Sequence, residues 1–168
     1  MVAPDRTCHR SLIYMDKDPS RFDDDGLTRS IIGAAIEVHD ALGPGLLESV
    51  YHDCLCYELR ELGLQFERQP LISLAYKAMR VERAFRPDVI VERSVVVELK
   101  SVEKILPIHE SQTQTYLKLT GLSRGLIFNF NTRLLKSGIR RIEPAFARTP
   151  ALSLTEEISP SPFAPAPH

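Results

Sequence analysis

The stretch Phe85-Arg86-Pro87-Asp88-Val89-Ile90-Val91-Glu92-Arg93-Ser94-Val95-Val96-Val97-Glu98-Leu99-Lys100 decides how the chain folds. Two short β-branched runs, residues 89–91 and 95–97, flank the polar break Glu92-Arg93-Ser94. Runs of this kind suit strands, and the break has the length of a hairpin loop. With those three residues as the loop, Val91 pairs with Val95 and Asp88 stands opposite Glu98. Residues opposed across an antiparallel pair project on one face, and Lys100 joins them there by the two-residue period. A two-residue loop would instead set Leu99 opposite Asp88 and disperse the cluster.

Two carboxylates at that range repel each other unless a cation lies between them, and hard ions such as Mg²⁺ or Mn²⁺ prefer oxygen ligands. An ion so held activates water and neutralises charge on a phosphoryl group, while a nearby ammonium orients the water or stabilises developing negative charge. Asp88 and Glu98 are therefore candidate metal ligands, with the Leu99 carbonyl as a further one and Lys100 as the assisting cation. The competing reading of the same letters is a hairpin carrying a surface ion pair.

Composition limits the surroundings of this hairpin. The 168 residues are 43% hydrophobic, which fits one globular domain with a core, plus tails. No apolar run reaches membrane-crossing length, and the opening MVAPDRTCHRSLIYMDKDPS lacks the apolar segment of a signal peptide; Met15 is a candidate alternative start. Three cysteines, Cys54 and Cys56 close together, do not make a disulfide framework, so a reducing cytoplasm is the expected compartment. A net charge of −1 gives no general attraction to polyanions, so nucleic-acid contact requires a local patch. Residues 124–148 offer one: six basic residues (Arg124, Arg133, Lys136, Arg140, Arg141 and Arg148) against the single acid Glu143.

Upstream, residues 27–42 follow the helical period, with Ile31, Ile32, Ala35, Ile36, Val38 and Leu42 apolar. Thr28 or Asp25 is available as cap and Gly43-Pro44-Gly45 as stop. A second helix is expected over 46–62, ending at Gly63. Glu48 lies in its first turn, where the helix dipole alone would favour a negative charge. Glu37 and His39 read as a solvated face and a satisfied histidine. His52 and Cys56 are spaced i, i+4, but no second Cys/His pair accompanies them to hold a soft metal. Residues 65–69 and 71–76 are strand-like around Pro70, 77–80 a turn, and 81–85 the lead into the hairpin, as a meander.

Downstream, residues 108–119 are helical, with Ile108, Thr115, Leu117 and Leu119 as apolar or neutral positions. His109, Gln112 and Tyr116 fall at i, i+3 and i+7 on one face, and Gly121 ends the helix. Residues 125–130 and 139–142 are further strands, so strand, helix and strand imply a parallel connection. The fold class is α/β, a central mixed sheet flanked by helices. Residues 1–26 are expected to be a flexible extension, 27–144 the domain, and 145–168 a Pro-rich disordered tail.

Gly45-Leu46-Leu47-Glu48-Ser49-Val50-Tyr51 reads G-x-x-E-x-x-Y and follows IIGAAIEVHDALGP. With FERQ (66–69), the P-D and E-x-K elements, HESQTQTYLKLTG (109–121), GLIFNFN (125–131) and KSGIRRI (136–142), the chain resembles the bacterial GxxExxY protein family over residues 28–143. That family is a small branch placed within the PD-(D/E)XK nuclease superfamily. The resemblance implies a restriction-endonuclease-like core and a nuclease. It also implies that Gln112 and Tyr116 match a Q-x-x-x-Y element set beside the site, contacting phosphate or orienting the lysine.

These readings assemble into a divalent-metal-dependent nuclease using Mg²⁺ or Mn²⁺. Asp88 and Glu98 bind the ion, Glu48 completes the acidic set through water or as a base, and Lys100 assists water attack, with Gln112 beside them. Tyr116, Arg133, Lys136, Arg140 and Arg141 are candidate nucleic-acid contacts; such contacts position a strand without reading sequence. The partner is nucleic acid, DNA ahead of RNA, with no membrane and with oligomerisation open. The alternative is a catalytically silent nucleic-acid-binding or protein-interaction module of the same fold.

Overall fold

A computed structural model describes residues 24–145. The extension expected at 1–26 and the tail expected at 145–168 lie, but for their inner edges, outside the described residues, as does Arg148 of the basic cluster.

Helix α1 (Asp24–Leu42) buries Leu27, Ile31, Ala34, Ala35 and Val38, a stripe at helical spacing. It starts three residues earlier than the periodicity suggests, so Thr28 lies inside the helix, buried, and is not its cap. Helix α2 (Glu48–Glu61) packs against α1 through Tyr51, Leu55, Cys56 and Leu59. Four strands follow: β1 (Phe66–Arg68), β2 (Ile72–Tyr76), β3 (Met79–Phe85) and β4 (Val89–Val91). Then come β5 (Val95–Lys100), helix α3 (Pro107–Thr120), β6 (Arg124–Asn129) and, after a 3₁₀ turn at Leu135–Gly138, β7 (Ile139–Ile142).

The main sheet runs β1-β4-β5-β6-β7, with β5 and β6 parallel and every other pair antiparallel. Its parallel pair is joined through α3, the connection expected from the strand–helix–strand order. The upstream strands depart from the expected meander. β1 pairs with β4, while β2 and β3 pair only with each other in a separate two-stranded sheet. Strand periodicity says that a segment is extended; it does not say which neighbour it finds.

Helices cover both faces of the main sheet. On one, α1 and α2 pack over Val89, Val91, Val95, Val97, Leu99, Leu126 and Phe128. On the other, α3 sets Tyr116 and Leu117 over Ile90, Val96, Ile127 and Ile142. Gly125 makes the second contact close: a Cβ there would lie 2.6 Å from Thr113 Cγ2 and 3.3 Å from Ile142 Cβ, so α3 sits where only glycine fits beneath it. Among the described residues, no helix is long and apolar enough to cross a membrane.

Candidate active site

In the central hairpin Val91 pairs with Val95, Ile90 with Val96 and Val89 with Val97, the register of a three-residue loop. Ser94 N–H donates to the Val91 carbonyl across a turn in which Glu92 and Arg93 both hold φ at 49°. Left-handed backbone at two side-chain-bearing residues costs about 1–2 kcal/mol each, so strand pairing, not the turn, holds the register. One step beyond Val89, the Asp88 amide donates to Glu98 Oε1 at 3.2 Å and the Leu99 amide donates to Asp88 Oδ2 at 2.8 Å. Val97 and Leu99 belong to the core under α1 and α2, so Glu98 between them, and Lys100 with it, faces the α3 side. Lys100 Nζ donates to Glu98 Oε2 at 3.1 Å and to the Leu99 carbonyl at 2.9 Å.

The charges are set by burial as much as by pairing. Glu98 is 3% exposed. Loss of hydration, followed by the neighbouring Asp88 charge, pushes its carboxyl up to about 7 against the opposing pull of Lys100. For Lys100, burial works to lower the ammonium, but Glu98, Asp88 and Glu48 together outweigh it and hold the group above its ordinary value. Lys100 is thus a fixed cation, and Glu98 a carboxylate short of positive charge.

Glu48 reaches this cluster from the other side of the sheet. The chain leaves α1 through Gly43-Pro44-Gly45, with Gly45 at φ +101°, and Leu47 is extended before α2 begins at Glu48. Tyr51 fixes that loop: its hydroxyl donates to the Gly43 carbonyl at 2.7 Å and accepts the Leu46 amide at 3.0 Å, while its ring stacks on Phe130 at 4.4 Å. The G-x-x-E-x-x-Y spacing therefore has a mechanical meaning, since the tyrosine one turn into α2 ties down the loop that aims the glutamate. Although Glu48 is exposed as a residue, desolvation of its carboxyl raises it, opposed by Lys100 and reinforced by Asp88. The Ser101 amide and His109 favour its charged form.

Residues 25–142 match the family profile described as the PD-(D/E)XK nuclease superfamily. The chain belongs to this superfamily. No curated protein and no solved structure matches it significantly. The PD-(D/E)XK superfamily is generally one of nucleases, hydrolases that act on nucleic acid and typically use divalent ions such as Mg²⁺ or Mn²⁺. The oxygen atoms present suit such an ion. Glu98 Oε2 and the Leu99 carbonyl already converge on one cationic atom, Lys100 Nζ, and Asp88 lies alongside. Among the described residues no three His, Cys, Asp or Glu side chains gather closely enough to hold a metal by themselves. A ligand set here accordingly draws on the main-chain carbonyl and water besides Asp88 and Glu98, with Glu48 farther out.

The remaining candidates of the PD-(D/E)XK domain divide. Gln112 Nε2 donates to the Tyr116 hydroxyl at 2.7 Å. Burial raises the Tyr116 phenol first, and the Glu98 charge adds to it. Tyr116 is only 3% exposed and packs in the core beneath α3, so, contrary to the expectation from the sequence, it is not open to direct contact with a strand. His109 Nδ1 accepts the Leu106 amide at the start of α3. Arg133, Lys136, Arg140 and Arg141 are all exposed, yet they do not form one patch. Arg140 and Arg141 are consecutive in β7 and point to opposite faces. Arg140 also donates to the Ser137 and Ile139 carbonyls and lies 4.0 Å from Glu110.

Sequence reasoning weighed His52 only as a soft-metal partner of Cys56 and missed its hold on Asp88. Its Nε2 lies 3.1 Å from the Asp88 carbonyl, its Nδ1 3.2 Å from Arg68, and Arg68 pairs with Asp53. Both ring nitrogens are engaged, and burial pushes the Cys56 thiol up to about 11, so the pair does not offer a soft metal site. The Gln69 amide also donates to the Asp88 carbonyl, and with His52 it fixes the backbone from which Asp88 projects.

Proposed function

We propose that the chain is a divalent-metal-dependent nuclease of the GxxExxY branch that hydrolyses phosphodiester bonds, DNA ahead of RNA, with 27–144 as the working domain. The observation that carries this reading is the pairing of Asp88 and Glu98 across the hairpin, with Lys100 Nζ on both Glu98 and the Leu99 carbonyl. Asp88, Glu98 and the Leu99 carbonyl would hold Mg²⁺ or Mn²⁺, which when bound supplies Lewis-acid polarisation of the phosphate and a more acidic water. Lys100, kept cationic by three carboxylates, offsets negative charge on the phosphoryl oxygens as it develops. Glu48, raised toward neutrality, accepts a proton from the attacking water as its oxygen bonds to phosphorus and the bond to the leaving oxygen breaks. Gln112 and Tyr116 position Glu98 and Lys100 from the α3 side. Cys54 and Cys56, both free, agree with a reducing, cytoplasmic setting.

The test is cleavage of labelled single- and double-stranded DNA and RNA in Mg²⁺, Mn²⁺ or EDTA, with wild type beside Lys100→Ala. Metal-dependent cutting is expected, reduced at least about 10²–10³-fold by the substitution, the scale for removing one charge-stabilising donor. No cutting of any polymer with Mn²⁺ still bound by calorimetry would point to a missing partner or an untested substrate, and no Mn²⁺ bound would favour the protein-interaction module of the same fold.

A further inference from the structure

The ribbon formed by β2 and β3 stands apart from the two cores. Only its base is anchored: Ile72 is buried, and Phe85 meets Tyr116 edge-on with ring centroids 6.0 Å apart. Its principal neighbour beyond itself is α3. Farther out, Tyr76, Met79 and Val81 are exposed, as is every residue of β3 before Ala84. A free two-stranded hairpin is marginal in water, so this one is built to lie against something.

Its charge says what. Between Leu71 and Arg86 the chain carries Lys77, Arg80, Arg83 and Arg86 against Glu82 alone, a local excess of +3 in a chain of net −1. Glu82 is occupied within the ribbon, accepting from Ser73 and pairing with Arg80, which leaves Lys77, Arg83 and Arg86 as the unbalanced charge. The three are spread from the turn at the tip to the foot, where Arg86 stands two residues from Asp88. Between them the strands slip: Ile72 pairs with Phe85 but Leu74 with Val81, a bulge that holds Arg83 at φ 53°. A bulge re-aims the side chain it carries, and a left-handed arginine carries a strain that strand pairing alone does not require.

We propose that the β2–β3 ribbon is an arm that holds duplex DNA, with Lys77, Arg83 and Arg86 on the phosphates that lead away from the Asp88–Glu98–Lys100 face. The assignment rests on the nuclease reading above and adds where the substrate lies. Duplex is favoured over a single strand because the basic residues are strung along a projecting β-ribbon rather than set in a groove. DNA is favoured over RNA because a two-stranded ribbon enters the roughly 12 Å major groove of B-form DNA but not the deep, narrow one of an A-form helix.

Binding, kept separate from cleavage by EDTA, tests it. The full chain and the triple variant Lys77→Gln, Arg83→Gln, Arg86→Gln are titrated into a labelled 20-base-pair duplex at several salt concentrations. Each lost phosphate contact lowers the salt slope by about 0.9. The triple variant is therefore expected to have a slope lower by about 2–3 and an affinity lower by roughly 100-fold near 0.15 M salt. Thermal unfolding of the variant verifies that it is folded. Lys77→Gly, which suits the φ of 55° at that position, supplies a second variant without backbone strain and is expected to lose about one unit of slope. Unchanged slope and affinity in both variants, with wild type binding, would overturn the arm and leave the nuclease reading standing. Tighter binding to single-stranded DNA or duplex RNA of the same sequence would overturn the duplex DNA assignment. A wild type that neither binds nor, with metal, cuts any nucleic acid would remove the nuclease reading, and the arm with it.

Discussion

At the scale of single residues, the site is built on a carboxylate that the fold makes uncomfortable. Burial, and then the Asp88 charge beside it, pushes Glu98 up from its ordinary 4.5 to about 7 in the folded protein. The folded state thus holds the proton more tightly than the unfolded chain. Below about pH 4.5 the group is neutral in both states and costs nothing; between 4.5 and 7 stability falls as pH rises, by on the order of 3 kcal/mol in all. Glu98→Gln removes that dependence. Denaturant unfolding at pH 5 and pH 8 should show a smaller loss of stability on going to pH 8 in the variant, and parallel profiles would mean that Glu98 is not the buried acid described here. Asp88, Glu98 and Lys100 were legible in the sequence because loop length and the two-residue strand period together place them. The part played by His52 was not, because its partner is the main-chain carbonyl of Asp88, an atom that every residue carries.

At the scale of elements, the loop between α1 and α2 does the placing. Tyr51→Phe removes both hydroxyl bonds, to Gly43 and Leu46, while keeping the ring on Phe130. Loss of two largely buried bonds is expected to cost about 1–3 kcal/mol and to lower kcat with little effect on KM, because Glu48 loses its aim while substrate contacts persist. Steady-state kinetics alongside thermal unfolding separates these effects; a variant less stable but fully active would make the tyrosine a core residue only. The α1, α2 and α3 helices, the hairpin and the parallel β5–β6 pair could all be read from periodicity and stop signals. The separate β2–β3 sheet could not. Its strands look like those around them, and the slip at Arg83 leaves no mark in the residue pattern. The splitting of Arg140 from Arg141 was hidden for a related reason: counting charge along the chain ignores the alternation of a strand.

For the molecule as a whole, an ion that binds the folded site but not the unfolded chain must raise the melting temperature. At a hundred times its Kd, Mn²⁺ would add about 2.7 kcal/mol, or roughly 5–10 °C for a chain of this size. Scanning calorimetry with and without Mn²⁺ should show that rise in wild type and in Lys100→Ala, which keeps the oxygen ligands, and should lose it in Asp88→Asn. Equal shifts in all three would place the ion elsewhere.

The pairing of Arg68 with Val89, closed by the Gln69–Asp88 hydrogen bond, means that the ribbon leaves and re-enters the sheet at a single point. In polymer terms it is one loop, and changing its length twofold alters the closure entropy by only about 0.6 kcal/mol. The outer part of the ribbon, residues 74–83, can accordingly be shortened or exchanged with little strain on the hairpin that carries the acids. With the functions proposed above, what holds the substrate and what breaks the bond would sit on separately replaceable pieces of one chain.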